Sequence, residues 1–309
     1  MNKLILGIPL IFVVLVSGCS IPGLPSFGGS GVQSQYENDV VVIKDQSVFP
    51  QSVKANQEIS LVTYVQNLGE RKEIPVTVNL YDTCNVFGKT EVTRPSSCTS
   101  LEAKEGVGCK DLKLLPLEVK EIKWILTPDP AKVKVPISSC KLKVSVTYKY
   151  DTSSQTEIYF VNAEEGQRQQ EQGTFREKTS VVQKNEGPIV AYIEPDKNVR
   201  QPVFTAARAA MPVSLYVENK GSGFLESMKW DKVVAKLEGV GDISDCWTVA
   251  DFKSQDITLI GKKSPPQACK LKVPKPSEVA SEKTSRLEAS LEYSYQFRKE
   301  SQVTIEPAT

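Results

Sequence analysis

Apolar and polar positions alternate with a period of two over most of the chain, and almost nowhere with the longer period of a helix. The clearest runs are Leu142, Val144, Val146, Tyr148 and Tyr150, and Leu287, Ala289, Leu291, Tyr293, Tyr295 and Phe297. Lysines, hydroxyls and carboxylates occupy most of the positions between them. Successive side chains of a strand point to opposite faces, so each run predicts a strand with one face in a core. Shorter segments of the same kind are Val40–Ile43, Ile59–Val65, Val76–Leu80, Ile122–Leu126, Ile158–Val161, Ile189–Ile193 and Pro212–Val217. Asn67-Leu68-Gly69 and Pro128-Asp129-Pro130 read as turns, and Asp151–Ser154 as a hairpin with the strand before it. Cys84 to Leu115 reads as a polar loop, and Glu278–Arg286 as one or two helical turns.

The second half of the chain repeats the first. Tyr64-Val65-x-Asn67-x-Gly69 returns as Tyr216-Val217-x-Asn219-x-Gly221, and Ser145-x-x-Tyr148-x-Tyr150 as Ser290-x-x-Tyr293-x-Tyr295. Pro128-Asp129-Pro130 has a counterpart in Pro274-Lys275-Pro276. Each copy offers about seven short strands in about 120 residues, the pattern of a two-sheet sandwich. The expected organisation is therefore all-β: sandwich domains at 39–162 and 188–309, joined by a polar linker at 163–187 that has room for a short helix. Asn67, Gly69, Asn219 and Gly221 are assigned to structural turns, because Asn and Gly tolerate positive φ.

The Val-x-Asn-x-Gly turn that closes a second strand, at Val65–Gly69 and Val217–Gly221, resembles CARDB-type and related immunoglobulin-like domains of archaeal and bacterial surface proteins. The resemblance implies tandem immunoglobulin-like β-sandwiches that serve as adhesive, spacer or scaffold units. The usual immunoglobulin cysteine pair is missing. Cys140 suits the sixth strand, but Ile59–Val65 holds no cysteine.

At the N-terminus, Lys3 precedes the apolar run Leu4–Val16, and Ser17-Gly18-Cys19 follows. As a helix that run spans roughly 20 Å, short of the about 30 Å hydrocarbon core, so an export signal is favoured over a membrane span. The segment ending at Cys19 resembles the lipobox of bacterial and some archaeal lipoproteins. This implies a signal peptide at 1–18 and a lipid on Cys19. Residues 19–38, rich in Gly, Pro and Ser, then form a tether with a reach of roughly 24 Å.

Six cysteines remain, in even sets: Cys84, Cys98, Cys109 and Cys140 in the first half, Cys246 and Cys269 in the second. Even sets in an exported chain predict disulfides. Cys246–Cys269 is the expected pair of the second half, and three connectivities are open in the first. Close Cys-x-x-Cys ligand pairs are missing, so zinc is not expected.

Histidine is absent from the sequence, which removes the commonest general base and rules out Ser-His-Asp and Cys-His chemistry. No metal or cofactor motif stands out, and a formal net charge of +1 gives no electrostatic case for nucleic acid. The sequence therefore reads as a non-enzymatic, membrane-tethered surface protein of the cell envelope, held by a lipid or apolar N-terminus, with a protein or glycan partner. The alternatives are a carbohydrate-binding module of a surface uptake or degradation system, with Trp230 and Trp247 as ligand-stacking candidates, and an accessory subunit of an envelope complex.

Overall fold

The computed structural model describes residues 36–70, 72–93, 95, 98–100, 107–205, 209–226, 228–237, 241–242 and 255–308. Among them are twelve strands of five residues or more. In the first half these are β1 (Val41–Phe49), β2 (Ile59–Asn67), β3 (Ile74–Asp82), β4 (Phe87–Thr93), β5 (Val107–Leu114), β6 (Val119–Pro128) and β7 (Ile137–Val161). The second half contributes β8 (Ile189–Pro195), β9 (Ala210–Asn219), β10 (Val233–Leu237), β11 (Gln267–Lys272) and β12 (Glu282–Glu306).

The two longest alternating runs of the sequence lie in the two longest strands, β7 and β12, each of 25 residues. They pair antiparallel from Glu282 opposite Val161 to Ile305 opposite Ile137. This ribbon is the middle of a central sheet ordered β10-β12-β7-β3-β5, with the short strands Gly241–Asp242 and Thr99–Ser100 at its ends. Two smaller antiparallel sheets accompany it, β1-β2-β6-β4 from the first half and β8-β9-β11 from the second. In β7 the even positions from Cys140 to Phe160 face inward, Tyr150 only half-buried, and in β12 the odd positions Ser285–Phe297, Val303 and Ile305 do the same. Because the inward parity never switches, both small sheets lie over the same face of the ribbon.

The sequence repeat explains the ribbon's register. Tyr148 pairs with Tyr295 and Tyr150 with Tyr293, so each tyrosine faces the counterpart of its neighbour, and Lys149 faces Ser294 between them. The two halves are thus related by a local pseudo-two-fold at Lys149 and Ser294. The four rings around this point meet edge to face, with centroids 5.8 to 6.4 Å apart.

The two halves and the 163–187 segment pack against one another. Tyr36–Thr309 is one compact unit with one contiguous apolar core. Within the 163–187 segment, α1 (Ala163–Glu171) is capped by Asn162, whose Oδ1 accepts from Glu164 N at 3.1 Å. Val182–Lys184 pairs with β7. Nor does Asp151–Ser154 turn: β7 runs straight through it. Thr152 Oγ1, Ser154 Oγ and Thr156 Oγ1 donate to the β8 carbonyls of Ile189, Ala191 and Ile193 at 2.6, 2.7 and 2.6 Å. Hydrogen bonds to buried acceptors offset the desolvation of these inward hydroxyls, so a polar run fits the interior of a strand. Likewise Pro276–Glu278 is a single 3-10 turn, and β12 begins at Glu282.

The expected loop from Cys84 to Leu115 holds β4 and β5. Cys109, Leu112 and Leu114 are all buried on β5, but their spacing breaks at Asp111, which has φ +57°. Opposite it the pairing with β3 moves from Val76–Leu112 to Val78–Cys109, so β5 carries one extra residue. Such a bulge hides a strand from a period-of-two reading. Gly108 lies beside it, where a Cβ would come within 2.0 Å of Val78 O.

Candidate functional site

Cys19, Cys246 and Trp247 lie outside the described residues, as does the whole of 1–35. Cys84 is bonded to Cys140, and Cys98 to Cys109. The first crosslink ties the end of β3 to β7, and the second ties the chain before Thr99 to β5. Cys269 is also in a disulfide. It stands on β11 opposite Val213 of β9. The sequence Cys140-Lys-Leu-Lys-Val recurs at Cys269, but β11 occupies the place of β6, so this identity joins non-equivalent strands, whereas the Pro-x-Pro landmarks follow the fold.

Asn67 and Asn219 are buried at equivalent turns. Asn67 Oδ1 accepts from Gly69 N at 2.9 Å, and Asn67 Nδ2 donates to Lys72 O and Leu114 O. Asn219 Oδ1 accepts from Gly221 N at 3.0 Å and from Tyr295 Oη at 3.2 Å, and its Nδ2 donates to Gly223 O. Next to it, both Ser222 N and Ser222 Oγ donate to Asp39, which stands at the start of the other half. These asparagines hold the fold together rather than face a ligand.

Trp230 opens a 3-10 turn and is 3% exposed, so its indole has no free face for stacking on a sugar. The exposed large apolar side chains are elsewhere. Phe49, at 78%, is the most exposed of them among the described residues.

Neighbours of Phe49 in the sequence, though not Phe49 itself, line a cleft of about 650 Å³. The cleft opens on the flank of the first half, between the edge strand β1 and the last turns of β12. Gln46, Ser47 and Val48 line it from β1, Gln51 and Ser52 from the next turn, and Ser301, Gln302 and Thr304 from β12. Seven of these eight side chains are amides or hydroxyls, and none is charged. Gln46 is 9% exposed; its Nε2 donates to Ser301 Oγ at 3.0 Å, while its Oε1 has no hydrogen-bond partner. Gln302 and Thr304 lean toward Ser138 O. β1 brings these groups to the rim because it is the outermost strand of its sheet, with a register shift between Ile43 and Asp45.

A second cleft, about 430 Å³, lies over the opposite face of the ribbon beside Lys149 and Ser294. Lys149, Lys229 and Lys232 share it with Glu226, Asp231, Asp256 and Glu292, so its charges largely compensate one another. A third cluster is aromatic: Tyr192 and Tyr216 stack at 5.4 Å, with Lys184 Nζ 3.5 Å from the Tyr192 ring and Lys263 Nζ 3.9 Å from the Tyr216 ring. Burial pulls the Lys184 ammonium below the usual lysine range, with Glu218 opposing it at 3.1 Å. The lysines already occupy the ring faces, and the cluster is closed by its own members.

Known proteins add little. No family model matches the chain, and no curated protein matches it. Among solved structures it is similar to the collagen adhesin of S. aureus, at 11% identity over 87% of this chain and 93% of that one, with a TM-score of 0.13. A likeness at that score bears on neither ligand nor mechanism. No described helix is long and apolar enough to cross a membrane. The disulfides point to an oxidising or extracellular setting.

Proposed function

We propose that the protein is a non-enzymatic binding module of the cell envelope. A lipid on Cys19 holds it at the membrane, residues 19–38 serve as the tether, and two immunoglobulin-like halves of the CARDB type present a rigid surface outside the cytoplasm. The observation that carries this reading is the crosslinked all-β framework, with Cys84–Cys140 and Cys98–Cys109 bracing one half and the shared β7–β12 ribbon joining it to the other. A framework that is already ordered loses little conformational entropy when a partner docks, which is what a binding or scaffold unit needs. The missing histidines support a role in holding over one in chemistry.

Mass spectrometry of the native protein tests the attachment. The expected result is a lipid-modified Cys19 with residues 1–18 removed; an intact Met1 or an unmodified Cys19 contradicts it. Crosslinking in intact cells tests the holding role, and recovery of the monomer alone counts against it. The carbohydrate-binding alternative draws support from the uncharged lining of the cleft between β1 and β12 and no longer from Trp230.

A further inference from the structure

Both small sheets lie over one face of the ribbon, and on its other face the outward positions Lys149, Glu292 and Arg298 are exposed. On that outer face three large side chains form a row across four neighbouring strands. Phe224 stands on the short strand Phe224–Leu225 opposite Gln296 of β12, Arg298 on β12 opposite Ser145 of β7, and Tyr81 on β3 on the far side of β7. Neighbouring strands lie about 4.8 Å apart, so the row is roughly 14 Å long. Phe224 is 55% exposed and Tyr81 43%. Arg298 Cζ lies 5.2 Å from the centre of the Phe224 ring and 5.8 Å from that of Tyr81, which places the guanidinium between two open rings.

The guanidinium is held in place and left unused. Arg298 Nε donates to Gln296 Oε1, and Gln296 Nε2 in turn donates to Thr147 Oγ1 at 3.3 Å. Arg298 Nη1 and Nη2 make no hydrogen bond or ion pair among the described residues. The neighbouring lysines are already matched, Lys141 with Glu300 at 2.9 Å and Lys143 with Asp82 at 2.7 Å. Arg298 is thus the cation of this group without a carboxylate. The free edge of a guanidinium fits a carboxylate bidentately, and flanking rings that keep water out are the surroundings of an interface hot spot. Neither of the clefts described above includes the row, and an open sheet face suits the broad surface of a protein better than a small ligand.

We infer that this row docks a partner protein that presents an aspartate or glutamate within an apolar patch. The carboxylate takes the Arg298 Nη groups, and the apolar atoms around it cover the Phe224 and Tyr81 rings. The inference rests on the reading of the protein as a binding module and adds the surface and the chemistry of the partner. An acidic glycan would carry hydroxyls beside its carboxylate, whereas Arg298 has an aromatic ring on either side.

The test places a photoreactive residue at Phe224 and, in a second full-length chain, at Ile260, which is 70% exposed elsewhere in the second half. Both chains are irradiated in intact cells and the adducts identified by mass spectrometry. The expected result is a protein adduct from Phe224 and not from Ile260, with an Asp or Glu beside apolar residues in the crosslinked segment. Titration of that purified protein then reads the contact. Arg298→Ala should weaken binding about ten- to hundredfold, Arg298→Lys, which keeps the charge and loses the fork, about fivefold, and Tyr81→Ala about threefold. Arg298→Glu combined with Lys in place of the partner's acidic residue should recover part of the affinity that either change alone removes. These positions are exposed, so each variant should melt with the wild-type chain. Glycan or lipid adducts from Phe224, or an affinity that Arg298→Ala leaves unchanged, would overturn the inference. Protein adducts from Ile260 and none from Phe224 would overturn the site and spare the wider binding role; recovery of the monomer alone from both chains would remove both.

Discussion

The Asn67 turn and the Asn219 turn have the same sequence and occupy equivalent places in the two halves, yet their side chains are used differently. Asn67 bonds backbone of its own half, at Lys72, Leu114 and Gly69. Asn219 takes a bond from Tyr295 in the ribbon, whose hydroxyl also accepts from Gly223 N at 2.7 Å, and the adjoining Ser222 is bonded to Asp39 of the other half. The repeat encodes a turn in both places, and tertiary packing turns one of them into a joint between the halves. The glycines record the same difference. A Cβ on Gly221 would come within 2.3 Å of Asp39 Oδ1 and 2.4 Å of Tyr295 Oη, whereas one on Gly69 would meet nothing closer than 3.2 Å.

The largest expected effects concern what braces the first half without such a joint. Replacing Cys84 and Cys140 by Ala opens a span of 56 residues and should cost about 4 kcal/mol; replacing Cys98 and Cys109, 11 apart, should cost about 3 kcal/mol, both read from denaturant unfolding. Next comes the comparison of the turns themselves. Gly221→Ala should cost about 3 kcal/mol and Gly69→Ala less than about 1 kcal/mol. Equal losses would mean that the second turn is no more closely packed than the first. Tyr295→Phe leaves Gly223 N without its acceptor and should cost about 2 kcal/mol in the same measurement.

The smallest effect appears only in alkali. Burial holds the Tyr148 and Tyr293 hydroxyls well above the usual phenol range, and burial with the nearby Asp39 carboxylate does the same at Tyr295. These groups keep their protons in the folded state after the unfolded chain has begun to lose them. Stability should therefore be constant below about pH 10 and fall above it, by up to about 1.4 kcal/mol per pH unit for each ring. Tyr148→Phe or Tyr293→Phe should flatten that decline in a pH series of melting curves, and an unchanged slope would show that the ring is not closed off.

Strands whose inward positions are apolar were legible from the sequence. Tyr148, Tyr150, Tyr293 and Tyr295 marked the ribbon, and the Tyr-Val-x-Asn-x-Gly repeat marked equivalent turns. Three physical features concealed the rest. The bulge at Asp111 shifts the parity of β5, so Cys109 and Leu112 fall out of phase. Asp151–Ser154 looks like a turn because the β8 acceptors of Thr152 and Ser154 are distant in sequence. The pairing of β7 with β12, which turns two repeats into one body, depends on a partner more than a hundred residues away. The candidate cleft was hidden for a related reason. Gln46 and Ser301 are unremarkable until the two edges that carry them are brought side by side, with Gln46 Nε2 on Ser301 Oγ.

A single sheet running through both halves requires that they melt together. Scanning calorimetry of the disulfide-intact protein measures this directly. The shared β7–β12 ribbon predicts one transition whose calorimetric and van't Hoff enthalpies agree. Two resolved transitions, one for each repeat, would contradict it.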